Sequence, residues 1–231
     1  MIDHLICDCD GVLVDSQVIA DRVMLDAGRS HRDLSRHRFR TGRQDGFRPA
    51  NLALAGRSGD EIRHRYAAEI RRYDRGARVS VELAHSVGPI AGVRAALEGC
   101  GLPVAVVSNS RMERVRMSVR RAGLDEIVGA RVFSAQQVER PKPYPDVYLL
   151  AARTLDVDPS RCLVVEDSVA GLTAARAAGM KTIAFVGASH IPSGYAQVLR
   201  ETGITRIMEH MDELPVLVAA GMRGDFGDVL S

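Results

Sequence analysis

Five short apolar, β-rich runs alternate with stretches of helical period, and this alternation limits the fold more than any other feature of the chain. The runs are residues 2–7, 103–107 (PVAVV), 130–133 (ARVF), 162–165 (CLVV) and 181–186 (KTIAFV). A strand with one wet face alternates apolar and polar residues. Near-continuous apolar runs mean burial on both faces, which parallel strands obtain when crossover helices cover them. Helical patterns over 91–99, 111–122, 145–155, 169–178, 193–202 and 212–220 supply such crossovers, and Gly101, Gly123, Gly179 and Gly203 follow four of them as C-terminal caps would. The expected class is α/β: a doubly wound, Rossmann-like parallel sheet with right-handed connections.

The alternation breaks once. Between about Ser16 and Val87 no convincing strand pattern occurs, while 57–72 (RSGDEIRHRYAAEIRR) places Ile62, Tyr66, Ala67 and Ile70 at helical spacing. Residues 16–27 also read as helix, with Ser16 as the N-cap and Val18, Ile19, Val23 and Met24 as the apolar positions. The expected organisation is a core made of 1–15 and 88–231 with an inserted helical domain over 16–87. Within the insert, 28–50 has few apolar residues and no period, long for a loop in a compact domain.

Composition excludes several classes. Lys142 and Lys181 are the only lysines, so 29 of the 31 basic residues are arginine, and fifteen of these fall between Arg22 and Arg78. Nucleic-acid binding through that segment would call for aromatic stacking partners, which are nearly absent there, so a solvated basic surface is expected and no nucleic-acid partner. No apolar run approaches the ~20 residues of a membrane span, and Asp3, Asp8 and Asp10 interrupt any signal-peptide core. Cys7 and Cys9 lack the second pair that a structural zinc site needs, so all four cysteines, with Cys100 and Cys162, are expected as reduced thiols in a cytoplasmic protein.

In open parallel sheets ligands gather at the carboxyl ends of the strands. Here the first strand runs into Asp8 and Asp10, the second into Ser108, Asn109 and Ser110, and the fourth into Glu166, Asp167 and Ser168; Lys142, between Pro141 and Pro143, follows the third. This set suits phosphoryl transfer. A carboxylate can attack phosphorus and split one hard displacement into two easier ones. Its repulsion from a phosphate dianion calls for positive charge, from Lys142 and from Mg²⁺, a hard cation that Asp8, Asp10, Asp167 and Glu166 could ligate. Ser108 and neighbouring N–H groups can donate to phosphoryl oxygens, and Asp10 can protonate the leaving oxygen and then activate water. Asn109 reads either as a phosphate binder or as a turn residue, and Glu166 either as a ligand or as a support behind Asp167. His31, His37, His64, His85, His190 and His210 show no pairing that requires a metal and are expected at the surface or in loops.

Taken in order, DCDGVLVDS (8–16), VVSNS (106–110), RPKPYPDVY (140–148) and VVEDSVAG (164–171) resemble the four motifs of the haloacid dehalogenase superfamily, most closely the subfamily with a small helical cap inserted after the first motif. The likeness covers residues 1–17 and about 88–220. It implies Asp8 as nucleophile, Asp10 as acid/base and, through its backbone carbonyl, a further metal ligand. It also implies Ser108 and Lys142 as phosphate binders, Asp167 as a magnesium ligand beside Glu166, and Asp15 as part of the hinge to the cap.

Absent residues separate the chemistries found among such relatives. Dehalogenases lack the second aspartate, present here as Asp10. Phosphonate-cleaving relatives need a cap lysine, and none precedes Lys142. Sugar-phosphate mutases carry a histidine ten positions after the general acid, where this chain has Ala20. The implied activity is therefore hydrolysis of a small phosphorylated metabolite, a sugar phosphate or phosphoglycolate, through an aspartyl-phosphate. Gln17 replaces an acidic residue common in the family, and Arg43, Arg48 and Arg57 are candidates to meet an anionic substrate from the cap. The alternatives are a phosphosugar mutase and a catalytically silent binding protein.

Overall fold

The structure, a computed structural model, describes residues 1–15, 88–191, 193–201 and 203–226. In chain order its elements are β1 (His4–Cys7), α1 (Val93–Cys100), β2 (Val104–Ser108), α2 (Met112–Arg121), α3 (Asp125–Val128), β3 (Val132–Ser134), α4 (Asp146–Leu155), β4 (Cys162–Glu166), α5 (Val169–Ala177), β5 (Lys181–Phe185), α6 (Tyr195–Glu201), β6 (Ile207–Met208) and α7 (Leu214–Arg223). All five expected strands form, as do the six helices expected within the described residues. Among the described residues, α3 and β6 were not anticipated, being too short, at four and two residues, for any period to register.

The strands form one parallel sheet in the order β3-β2-β1-β4-β5-β6. Every residue of β2 and of β4 is buried, the pattern expected of parallel strands covered on both faces. Successive side chains leave a strand on opposite sides, and the two cores divide accordingly. Leu5, Cys7, Val104, Val106, Leu163 and Val165 pack with Val93 and Leu97 of α1, Val115 and Val119 of α2, and Leu214 and Val218 of α7. Ile6, Ala105, Val107 and Val164 face the other way, onto Val147, Tyr148 and Ala151 of α4 and Ala174 and Ala175 of α5. Each fully buried aliphatic side chain contributes about 1.5–3 kcal/mol, so the central strands are the best-anchored part of the molecule. They carry the site at their ends.

The chain steps outward from β1 through β2 to β3, then crosses to β4 on the far side of β1. That reversal opens a crevice at the carboxyl ends of the central strands. Register aligns what borders it: Cys7 lies level with Val106 on one side and Val165 on the other, and the Asp8 N–H donates to the Val165 carbonyl at 2.9 Å. Just beyond, 13–15 and 88–90 run side by side. Ile90 N–H donates to Leu13 O and Asp15 N–H to Gly88 O, each at 3.0 Å, and Val14 bridges Pro89 in antiparallel sense. Residues 13–15 and 88–90, which flank 16–87, are thus clipped together.

The expectations for 16–87 lie outside the described residues: the helices over 16–27 and 57–72, the irregular 28–50 stretch, Gln17, Ala20, the arginines at 43, 48 and 57, and the histidines at 31, 37, 64 and 85. All four cysteines are free and buried. Among the described residues no helix is long and apolar enough to cross a membrane.

Candidate active site

Lys142 is the hub of the crevice. The loop before α4 carries it inward until its side chain is only 3% exposed. There Nζ donates to Asp8 Oδ1 at 2.6 Å, to Glu166 Oε1 at 2.6 Å and to the Val107 carbonyl at 2.9 Å, using all three ammonium protons. The Tyr148 ring lies 4.9 Å from Nζ, and Tyr148 O–H donates to Glu166 Oε1 at 3.3 Å. Burial alone would lower the Lys142 pKa, but Asp8 and Glu166 hold it well above its ordinary value, so the ammonium stays charged.

Asn109 fixes the backbone of that lysine. Its Oδ1 accepts from Lys142 N–H at 3.0 Å and its Nδ2 donates to Lys142 O at 3.2 Å. Both ends of the amide are occupied, which favours a role in holding the lysine loop over the expected phosphate contact. Ser108 is buried, and its Oγ accepts from Ser110 N–H at 3.0 Å. The Ser110 carbonyl in turn accepts from Ser134 Oγ at 2.6 Å.

Glu166 is also fully engaged. Oε1 serves Lys142 and Tyr148, while Oε2 accepts from Ser168 N–H at 3.0 Å and Ser168 Oγ at 2.9 Å. Of the two readings of Glu166, these bonds favour support over ligation. They also explain Gly171, where a Cβ would stand 1.7 Å from Glu166 Oε1. Asp10 faces the other wall: Ser110 Oγ donates to its Oδ2 at 2.7 Å and Arg114 Nη2 lies 3.0 Å from its Oδ1.

Asp167 borders the remaining side. Its Oδ2 lies 3.1 Å from His190 Nε2, and a Cβ at Gly11, whose φ is +90°, would fall 2.0 Å from that same oxygen. Only glycine lets the first and fourth strand ends approach so closely. Asp15, expected near the hinge, accepts from Ser189 N–H through Oδ2 at 3.3 Å.

The electrostatics are unbalanced in a telling direction. Among the described residues, three buried carboxyl groups, Asp8, Glu166 and Asp167, face one buried ammonium, that of Lys142, an excess of acidic groups. Burial first, then the carboxylates Glu166, Asp167 and Asp10, push the Asp8 pKa well up despite the pull of Lys142. Burial likewise pushes Asp167 up to about 6, against the hydrogen bond from His190. A hard-oxygen donor set with more acidic than basic groups fits a divalent cation such as Mg²⁺. Among the described residues no group of three or more His, Cys, Asp and Glu side chains is already gathered as a ligand cluster.

Sequence reasoning missed three members of the site. Arg114 is one of many arginines and lies four residues beyond the motif; the i, i+4 offset between Ser110 and Arg114 at the start of α2 was the available signal. Tyr148 ends the third motif, but its contact with Glu166 depends on how α4 packs. His190 was expected in a loop, where it does lie, yet its ring reaches Asp167 from beyond β5.

Residues 2–179 match the family model described as haloacid dehalogenase-like hydrolase, and a second model of HAD-like hydrolases matches 139–220. Hexitol phosphatase A of Escherichia coli (strain K12) is 33% identical over 180 residues, 77% of this chain and 80% of its own length. The 6-phosphogluconate phosphatase of the same strain is 27% identical over 199 residues, 82% of this chain and 85% of its own. Among solved structures, a HAD family hydrolase from Deinococcus radiodurans R1 with bound phosphate and sodium aligns with TM-score 0.65 at 32% identity, over 96% of this chain and 97% of that one. With the four motifs converged on one crevice and a family model matching most of its length, the chain belongs to the haloacid dehalogenase-like hydrolases.

Proposed function

We propose that this hydrolase is a Mg²⁺-dependent phosphatase of small phosphorylated metabolites, of the sugar-phosphate or phosphoglycolate kind, working through an aspartyl-phosphate on Asp8. The observation that carries the reading is the buried Asp8–Lys142–Glu166 hub at 2.6 Å contacts, set beside Asp10 and Asp167 with an excess of acidic groups. The similarity to hexitol and 6-phosphogluconate phosphatases supports the substrate class. The phosphate and cation bound by the Deinococcus radiodurans relative support the contents of the crevice.

Lys142 holds Asp8 Oδ1, which orients the carboxylate and leaves Oδ2 to attack phosphorus. As the new O–P bond forms, the ester P–O bond breaks, and the leaving oxygen takes its proton from Asp10. Asp10 then removes a proton from water, whose oxygen attacks the acyl phosphate, freeing inorganic phosphate and restoring the Asp8 carboxylate. Ser108 donates to the phosphoryl oxygens throughout and the Lys142 ammonium offsets their charge, with Asn109 fixing the lysine backbone. Asp8, Asp167 and the Asp10 carbonyl would hold Mg²⁺, which when bound offsets the charge shared by phosphate and nucleophile. The insert over 16–87 belongs to this proposal as the cap that meets the non-phosphate part of the substrate, returning to the core at the clip between 13–15 and 88–90.

Release of phosphate from p-nitrophenyl phosphate and from a panel of sugar phosphates, with and without Mg²⁺, tests the reading. Asp8→Asn should lower turnover about 10⁴-fold or more, as removal of a nucleophile does elsewhere. Turnover that survives the substitution rules out Asp8 as nucleophile.

A further inference from the structure

The geometry points to His190 as a positioning residue for Asp167, one that fixes which carboxylate oxygen is presented to the cation; this rests on Asp167 being a metal ligand as proposed above. The ring is wedged into the site: Nε2 is 3.1 Å from Asp167 Oδ2, and Cε1 is 2.9 Å from where a Cβ on Gly11 would be. Its loop is anchored on both sides. Ser189 N–H donates to Asp15 Oδ2 at 3.3 Å, Ile191 N–H donates to Ala188 O at 3.0 Å, and Ala188 is buried.

A histidine buried for packing alone would be expected to satisfy both ring nitrogens. Here Nδ1 is buried without a hydrogen-bond partner, an arrangement that is costly. The contact that accompanies this cost is the one to Asp167. A carboxylate with two equivalent oxygens can turn about its terminal torsion, which is broad and roughly two-fold. Tying Oδ2 to an N–H donor leaves Oδ1 as the oxygen presented to the crevice. Glu166 is held by Lys142, Tyr148 and Ser168, so the two adjacent acids are restrained by separate partners. Outer partners of metal-binding side chains act in this way.

Calorimetric titration of the full chain with Mg²⁺ alone, comparing the parent with His190→Leu and His190→Gln, decides the matter. Leucine keeps bulk but removes the donor and should weaken Mg²⁺ binding about 10–100-fold. Glutamine keeps a side-chain N–H and should recover most of the affinity. Equal affinity of the Leu variant and the parent overturns the inference, as does a Gln variant no tighter than Leu. If the Leu variant does not fold, His190→Ala with added imidazole replaces it: affinity regained on adding imidazole supports the assignment, and none regained overturns it. A parent that binds no Mg²⁺ overturns the reading of Asp167 as a ligand, and the role of His190 with it, a result distinct from equal binding by parent and variants.

Discussion

The two walls of the crevice are finished to different degrees. Around Lys142 every ammonium proton has an acceptor, both oxygens of Glu166 are occupied, and a tyrosine ring lies over the cation. Around Asp167 the bonding is incomplete: His190 Nδ1 and Asp15 Oδ1 are buried without partners, and Asp167 is pushed up to about 6, chiefly by burial. A complete network over-determines its members and holds a nucleophile in one pose. An incomplete one has charge and valence left for something that arrives. One chain can build both because the same desolvation that makes a paired ion rigid makes an unpaired one costly.

The largest way to break this contrast is Lys142→Met. Methionine preserves volume but leaves Asp8 and Glu166 buried without their counter-charge, which should cost about 3–5 kcal/mol of stability, read from urea unfolding. Phosphatase activity should be lost with it. The Asp167 wall should respond to metal instead. At a Mg²⁺ concentration a hundred times its dissociation constant, the parent should gain about 2.7 kcal/mol, visible as a higher Tm, and Asp167→Asn should remove most of that gain. A parent indifferent to Mg²⁺ would leave the excess of acidic groups unexplained.

Gly171→Ala sharpens the picture of the finished wall. Its Cβ would stand 1.7 Å from Glu166 Oε1, and that carboxylate cannot move without releasing Lys142 or Ser168. A loss of about 1–3 kcal/mol is expected, whereas a neutral result would mean the network is looser than its distances. The smallest effect lies away from both walls. Burial pushes the thiols of Cys100 up to about 11 and Cys162 up to about 12 from an ordinary 9.0. The folded state then holds these protons more tightly than the unfolded one, so their contribution is intact below pH 9 and lost as pH rises from 9 towards 12. Both thiols should resist alkylation at pH 8 until the chain is unfolded.

Much of this was legible because strand ends are local events. Asp8 and Asp10 follow β1, Ser108 closes β2, and Glu166 and Asp167 end β4 or follow it, so an apolar run followed by a polar break marks each one. Glu166 and Asn109 were only half legible: their residue types allow ligand, binder or turn, and the choice fell to partners far away in sequence, Lys142 in both cases. Arg114 offers only its i, i+4 offset from Ser110 and Tyr148 no distinguishing local signal, since a helical arginine and a helical tyrosine each have an ordinary surface or core explanation.

The sequence by itself determined the parallel α/β core and the ordered set of chemical groups, because hydrophobic period and strand-end composition are properties of neighbours along the chain. Only the tertiary structure decided which groups touch. It gave Lys142 to Asp8 and Glu166 together, Arg114 to Asp10, and His190 to Asp167. Two of these pairings, Lys142 with Asp8 and Arg114 with Asp10, depend on crossover connections that bring residues more than 100 positions apart within hydrogen-bond distance, and the electrostatics they set up exist only once water has been excluded from around them.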